Sequence, residues 1–542
     1  MKTIMKTTLA AMAVAVMATT FAAMPLHAEK VKGRVFCDGK AVAGVTVSDG
    51  YTVTRTDSKG IYRLDTDKDS RFIFITTPRG FISEPFRGDY CFYKDIEPSR
   101  KVYDFQLIKN EVDDTDHRII AIADPQVAEA AEFPQLKECA DGITRYLDSQ
   151  KTGVGQRQAS IQVQDREQRQ DSQQGQDSAQ EYDRGNSGSP ARYTFGLCLG
   201  DITGYDHSLY EEYNRIMSTN GIRYRYVIGN HDMDNYGRSF ETSTHSWEKV
   251  FGPTYYSFEV GDVHYIVLND NFFIGKDWYY IGYLEEKQLK WMEKDLANVG
   301  TDKKVVVALH IPTTLSKEDR SDYVFNYSIA ADVMSNKKGL YELLAPYDAV
   351  ILSGHMHFGN NQIINDKLIE LNIGALSGAW WCGDVCIDGA PAGFKVIDFN
   401  GTKVEWEYIG LDMAEASDTV EAGNNSEKLR GEAANGQVKL YVSPEGHNGY
   451  ALANVWDYDP EWTVEYWEDG RKVCTMERIT AQDPHAAEIY RHPETLKRSW
   501  VYAVNSENMF RAPISADAKI IEVRVTDRFG RNYTVSASTQ NK

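Results

Sequence analysis

Apolar and polar positions alternate in three styles along the chain, changing near residues 110 and 412. From Val31 to about Lys109, short β-type runs such as Phe72-Ile73-Phe74-Ile75 are parted by turn signals at Asp38-Gly39, Asp49-Gly50 and Lys59-Gly60. This predicts a small β-sandwich over residues 29–110. The middle alternates apolar strand-like runs with helix-like segments, as in Leu284 to Leu296, where Leu284, Leu289, Met292 and Leu296 share one helical face among charged residues. Such alternation predicts an α/β domain over residues 116–411. Within it, Lys151 to Ala191 is rich in Gln, Arg, Asp, Ser and Gly and almost lacks apolar residues. It has too little apolar surface to order itself and reads as a disordered insertion, 151–191. Beyond Asp412, the segment Ser417 to Gly436 is polar and loop-like. Strand-like runs return in Val438 to Val442 and Ile520 to Val525, the latter followed by Asp527-Arg528-Phe529-Gly530, so residues 412–542 predict a third, β-rich domain.

A separate pattern opens the chain. Lys2 and Lys6, the apolar run Leu9 to Ala18, and Leu26-His27-Ala28 form the three parts of a secretory signal peptide over residues 1–28. The apolar run is half the roughly 20 residues a membrane span needs, so export to the periplasm or the outside medium is expected rather than anchoring. Loss of this segment takes the formal charge from -20 to about -22. That balance argues against nucleic acid or an anionic membrane as a general partner, since both call for basic patches. The seven Cys are an odd number, so at least one is unpaired within a single chain. Cys37 with Cys91, or Cys382 with Cys386, are possible pairs in an oxidising compartment. A thiolate zinc site is disfavoured, because Cys382 and Cys386 are the only closely spaced pair.

Five apolar runs of the middle domain each stop at metal-capable side chains. Ile119 to Ala123 ends at Asp124-Pro125-Gln126, and Tyr193 to Leu199 at Gly200-Asp201. Tyr224 to Ile228 ends at Gly229-Asn230-His231-Asp232, Val305 to Leu309 at His310, and Ala349 to Ser353 at Gly354-His355-Met356-His357. In open α/β sheets, ligand sites lie just beyond the carboxyl ends of the strands, so the five clusters are expected to converge in one crevice. Any one of them taken alone is an ordinary turn or a hydrogen-bonded loop histidine; their shared placement is the signal. The mixed nitrogen and oxygen donors suit Mn, Fe or Zn better than Ca or Mg alone.

In order and composition this series resembles the calcineurin-like metallophosphoesterase family, whose blocks run Asp-x-His, Gly-Asp, Gly-Asn-His-Asp/Glu, His and Gly-His-x-His. The likeness covers about Asp116 to Leu411. The stretches Gly33-Arg34-Val35, Gly44 to Gly50 and Thr56 to Tyr62 resemble prealbumin-like modules that precede secreted enzymes. Gly252-Pro253-Thr254-Tyr255-Tyr256-Ser257-Phe258 and Asp388-Gly389-Ala390-Pro391-Ala392-Gly393 resemble a three-domain bacterial branch with N- and C-terminal β-domains. The resemblance implies a central four-layer α/β/β/α sandwich. It also implies two divalent metal ions (Mn, Fe, Zn or Mg), one held by Asp124, Gln126, Asp201 and His357 and the other by Asp201, Asn230, His310 and His355. His231 would protonate the leaving oxygen or steady the transition state, with Asp232 orienting its ring.

One position departs from the family pattern: Gln126 stands where the first block has His. An amide oxygen is a harder, weaker donor than imidazole, which favours Mn or Mg there, or partial filling. Asn269-Asp270-Asn271, after the run Tyr265 to Leu268, reads as a turn supporting the cluster. Trp380-Trp381, in a loop with Gly374, Gly378 and Gly383, is placed either to face substrate or to pack against a neighbouring domain. The expected activity is hydrolysis of a phosphate ester, with a phosphorylated small molecule or phosphoprotein as partner and monoesters slightly favoured. A phosphodiesterase or nucleotide pyrophosphatase is the alternative, and a non-catalytic surface binding protein on the same fold is the alternative of another class. No His-Glu-x-x-His helix or Gly-x-Ser-x-Gly elbow supports a peptidase. Oligomeric state does not follow from the residues.

Overall fold

A computed structural model describes residues 29–86, 89–151, 192–237, 239–275, 279–316, 330–411, 432–434 and 436–539. The expected leader, the expected insertion beyond Lys151 and most of the polar stretch after Ser417 lie outside the described residues. The described part divides into an N-terminal β-sandwich, a central α/β domain and a C-terminal β-rich domain.

Two sheets make the centre. The first has the order β3-β2-β1-β10-β11: β3 (Tyr224–Tyr226), β2 (Tyr193–Cys198) and β1 (Asp116–Ile122) are parallel, while β10 (Gly393–Asn400) and β11 (Lys403–Gly410) close it antiparallel. The second has the order β4-β5-β6-β7-β9-β8. Here β5 (Val263–Val267), β6 (Lys304–Ala308), β7 (Asp348–Ser353) and β9 (Leu368–Asn372) are parallel, and β4 (Tyr256–Val260) and β8 (Asn360–Asn365) are antiparallel edges.

Period-two alternation sorts the β1 side chains. Ile119, Ala121 and Ala123 join the core shared with the second sheet, while Ile120 and Ile122 join the core shared with α1 (Phe133–Lys151) and α2 (Tyr210–Met217). On the far side, Val305, Val306 and Val307 of β6 are all buried, as a parallel strand covered on both faces requires. Trp291, Met292 and Leu296 of α3 (Glu286–Leu296) and Leu340 and Leu344 of α4 (Lys337–Leu344) complete that core. The result is an α/β domain, as the alternating pattern predicts, in the four-layer helix-sheet-sheet-helix stack that the resemblance implies. α3 begins two residues after Leu284, and it is Trp291 that fills the apolar face more than the half-buried Leu289.

The flanking domains are welded on rather than tethered. Thr77 of the N-terminal sandwich bridges to Phe258 of β4, its carbonyl accepting from the Glu259 N–H at 2.8 Å. Trp291 Nε1 donates to Ser48 Oγ at 3.1 Å, with Phe74 and Tyr255 edge-on to its ring. On the other side, Lys395 of β10 is buried with its ammonium on Asp457 of the C-terminal domain at 2.6 Å and on Asn361 at 2.8 Å. None of the seven cysteines is in a disulfide, so neither of the two possible pairs is formed. Among the described residues no helix is long and apolar enough to cross a membrane. Truncation of Trp291 to Ala is expected to destabilise the protein by about 3–5 kcal/mol, the range for a large aromatic removed from a packed core, and to lower the denaturant midpoint.

Candidate active site

The parallel strands of both sheets run their carboxyl ends towards one cleft. β1 delivers Asp124 and Gln126, β2 delivers Asp201, and β3 leads through Val227 and Ile228 into a 3₁₀ turn at Asn230–Asp232. From the second sheet, β6 delivers His310 and β7 delivers His355 and His357. The sheets meet through these loops: His310 Nδ1 donates to Leu199 O at 2.7 Å, and His355 N donates to Asp124 Oδ2 at 2.8 Å.

Backbone strain turns the side chains inward. Asp124, Gln126, Asp201, His355 and His357 all have left-handed backbone, with φ of 50°, 41°, 53°, 73° and 55°. A non-glycine residue held there costs on the order of 1 kcal/mol or more, and such strain concentrates at functional sites. Gly229 is required for a different reason: a Cβ on it would fall 2.2 Å from both the backbone N and Oδ1 of Asp201.

All nine expected site residues lie in or directly beneath this cleft, and most are fully buried. Asp201 is at the centre. Its Oδ1 accepts from the His231 N–H at 2.8 Å and lies 3.3 Å from His310 Nε2, while its Oδ2 accepts from Gln126 Nε2 at 3.2 Å. His310 Nε2 is also 3.0 Å from Asn230 Oδ1 and 3.2 Å from His355 Nδ1. Ligand atoms of Asp201, His310 and His355 fall within 4.8 Å of one another. His357 Nδ1 donates to Gly378 O at 3.0 Å, leaving Nε2 3.8 Å from Asp124 Oδ1. The hydrogen bonds of His310 and His357 through Nδ1 fix the tautomer that turns Nε2 towards the carboxylates.

Electrostatics divides the two central acids. Burial pushes the Asp124 carboxyl up and His310 only partly offsets it. Burial acts on Asp201 too, but His310, His231 and His355 together hold it below the usual carboxylate range. His310, despite burial, is raised to about 10 by Asp201, while burial takes His355 and His357 down to about 3.

Asp232 departs from expectation. Its carboxylate does not touch the His231 ring; it accepts from the N–H groups of Gly229 at 2.9 Å and Ile202 at 3.1 Å and from Tyr210 OH at 3.1 Å. The tight 3₁₀ turn folds Asp232 back on its own N-cap, so it braces the loop, and the buried His231 Nδ1 has no hydrogen-bond partner among the described residues. Asn269-Asp270-Asn271 is the supporting turn expected: Asp270 accepts from the His310 and Ile311 N–H groups, and Asn271 Nδ2 donates to Ile228 O. Trp380 does face the cleft, its ring stacked on His357 at 3.9 Å and 19°, while Trp381 is buried against α1 and its neighbours.

Family models match three consecutive stretches: the N terminal of calcineurin-like phosphoesterase at 29–110, calcineurin-like phosphoesterase itself at 117–359, and the C terminal of calcineurin-like phosphoesterase at 370–533. The chain belongs to the calcineurin-like phosphoesterase family. The C-terminal match starts inside the central domain, so it takes in β10 and β11, which complete the first sheet. Among individual proteins, this metallophosphoesterase is 28% identical over 191 residues to the serine/threonine-protein phosphatase CPPED1 of Homo sapiens, and 28% over 192 residues to that of Mus musculus. Those matches take in 34% of the chain and 55% of each relative, so it spans about half the length of the curated relatives it matches. Of solved structures, a dimetal phosphatase from Danio rerio aligns with 11% identity and a TM-score of 0.31, over 55% of this chain and 99% of the other. A 5'-nucleotidase from Candida albicans aligns with 10% identity and a TM-score of 0.28, over 56% and 53%.

The family binds metal ions, and the residues of this metallophosphoesterase fit such a group. Asp124 Oδ1 and Gln126 Oε1 are buried in the cleft without a hydrogen-bond partner among the described residues. Orphaned buried acceptors of this kind are costly unless a cation or donor completes them. Asn230, the three imidazoles of His310, His355 and His357, and the Asp201 carboxylate supply the rest of a mixed nitrogen and oxygen donor set.

Two supporting residues escaped the sequence reading. Tyr205 lays its ring over His231 at 4.0 Å. Glu370 of β9 accepts from Thr313 N and Ser353 Oγ, each at 2.8 Å, and so braces the loops that carry His310 and His355. A signal for it existed, a lone acid in the apolar run Leu368-Ile369-Glu370-Leu371. Burial raises the Glu370 carboxyl to about 7, so the folded state keeps a proton that the unfolded chain loses near its ordinary value of 4.5. Its contribution is therefore full below about pH 4.5 and declines as pH rises through 7. Thermal melts of wild type and Glu370→Gln, which mimics the neutral acid, should diverge in favour of the variant between pH 5 and 8.

Proposed function

We propose that the protein is an exported phosphatase that hydrolyses phosphomonoesters, phosphoproteins among them, at a two-cation centre. One observation carries the reading: ligand atoms of Asp124, Gln126, Asp201, Asn230, His310, His355 and His357 converge from two sheets in one buried cleft, and two of them are orphaned. Asp201 lies between the two groups, close to Gln126 on one side and to His310 on the other, and would serve both cations. Asp124, Gln126 and His357 would complete the first position; Asn230, His310 and His355 would complete the second. Two divalent cations held there would lower the pKa of a bound water and neutralise phosphate oxygens. The chain's own part is to hold that geometry and to place His231, whose ring is partly exposed at the rim with Nε2 3.9 Å from Asp201 Oδ2, where it can donate to the leaving oxygen. Similarity to a serine/threonine-protein phosphatase supports monoesters over diesters. The three-part pattern of residues 1–28 supports export to the periplasm or outside medium.

The test is p-nitrophenol release from matched mono- and diester substrates by metal-stripped protein resupplied with Mn²⁺. Turnover should return with the metal, favour the monoester, and vanish in Asp201→Asn. His231→Ala should lower kcat by about 10²–10⁴-fold while retaining metal, as loss of a general acid does. No turnover with Mn²⁺, Zn²⁺ or Fe²⁺ would instead support a binding protein on the same fold.

A further inference from the structure

Between the strands Glu477–Gln482 and Asn505–Pro513 of the C-terminal domain, residues 483–504 leave the sandwich and lie against the Trp380 loop. Lys497 and Arg498 sit at its inner face. Arg498 is almost completely buried, which for a guanidinium requires partners on all sides. Its Nη1 donates to the carbonyl of Trp380 at 2.5 Å, and its Nη2 pairs at 2.6 Å with Glu132, whose side chain is fully buried. Glu132 also takes Lys497 at 2.7 Å on the same oxygen, and its other oxygen accepts from the Ala128 N–H at 2.7 Å.

These bonds have a direction. Ala128 is two residues beyond Gln126, so Glu132 ties down the loop that carries Asp124 and Gln126. Trp380 stacks on His357, and Gly378 in the same loop holds His357 Nδ1. Arg498 thus joins the loops behind Asp124, Gln126 and His357, the residues assigned to the first cation position. Among the described residues, no hydrogen bond or ion pair from Lys497 or Arg498 goes to the loops carrying Asn230, His310 or His355. With both residues of the Trp380-Trp381 pair in left-handed backbone (φ 53° and 60°), that loop needs an outside hold to keep its shape.

We propose that Arg498 is a positioning residue through which the C-terminal domain clamps the Asp124–Gln126 loop to the Trp380–His357 stack, and so sets the affinity of the first cation position more than that of the second. The inference rests on the two-cation reading above. It gives the C-terminal domain a role in the chemistry: the domain ties together the loops of the Gln-containing half of the site.

The experiment is calorimetric titration of Mn²⁺ into the metal-stripped full chain, comparing wild type, Arg498→Ala, Arg498→Lys and Trp380→Leu, with circular dichroism as a check on folding. Wild type should take up two equivalents. Arg498→Ala should weaken one of them about 10–100-fold, the usual effect of losing a group that orients a metal ligand, and leave the other in place. Arg498→Lys should recover part of the loss, since the ammonium can still reach Glu132 but cannot also hold the Trp380 carbonyl. Trp380→Leu leaves the ion pairs intact and should weaken the same equivalent, so it carries the test if Arg498→Ala does not fold. Wild type binding fewer than two equivalents would overturn the two-cation reading itself. Two equivalents in wild type and undiminished affinity in the folded variants, or equal loss of both equivalents, would overturn the clamp alone.

Discussion

Two carboxylates, Asp124 and Asp201, are buried in the same cleft, and that is the constraint from which the rest of the site follows. In a medium of low dielectric, neighbouring carboxylates cannot both stay ionised unless positive charge accompanies them. The chain answers by surrounding them with imidazoles: His310 takes up charge against Asp201, while Asp124 is driven towards its neutral form. The same arrangement is what a divalent cation demands, because a cation replaces the compensating protons and meets oxygen and nitrogen donors already aimed at it. The protonated pairs and the metal ligands are one set of atoms in two states.

Holding those donors in place is the work of backbone and of residues that never reach the cleft. Five of the delivered side chains stand on left-handed backbone. Around them, carboxylates serve as braces: Asp232 gathers the N–H groups of Gly229 and Ile202, Asp270 those of His310 and Ile311, and Glu370 the Thr313 and Ser353 groups. An acid that receives several donors makes a stiff knot in a loop, since each bond fixes one more group of that loop. Acidic residues in this domain therefore do two different jobs, and only their local surroundings separate them.

That division explains what was legible in the amino-acid sequence and what was not. The fold class could be read because parallel strands covered on both faces leave unbroken apolar runs, such as Val305 to Leu309, and because each run stops where its strand stops. Convergence of the strand ends could be read for the same reason. The assignment of Asp232 to the His231 ring failed because adjacency in a motif says nothing about which way a 3₁₀ turn throws its last side chain. Arg498 and Glu132 were invisible, being 366 positions apart and brought together only by the docking of one domain on another. Trp380 was left between two readings, and the structure gives it both: its ring faces the cleft and its carbonyl faces the C-terminal domain.

The site straddles the seam between two sheets, with Asp124, Asp201 and Asn230 on one and His310, His355 and His357 on the other. A cation bound across that seam acts as a rivet. Neither sheet alone offers a complete donor set, so a partly folded chain with only one sheet formed has little to hold a metal with, and uptake must come late, after the sheets have docked. Because β1 and β7 are separated by more than two hundred residues, that docking is a long-range event of the kind that slows folding. A seam riveted in this way could open only by releasing its metal, so an ion held there would also set how long the folded domain lasts.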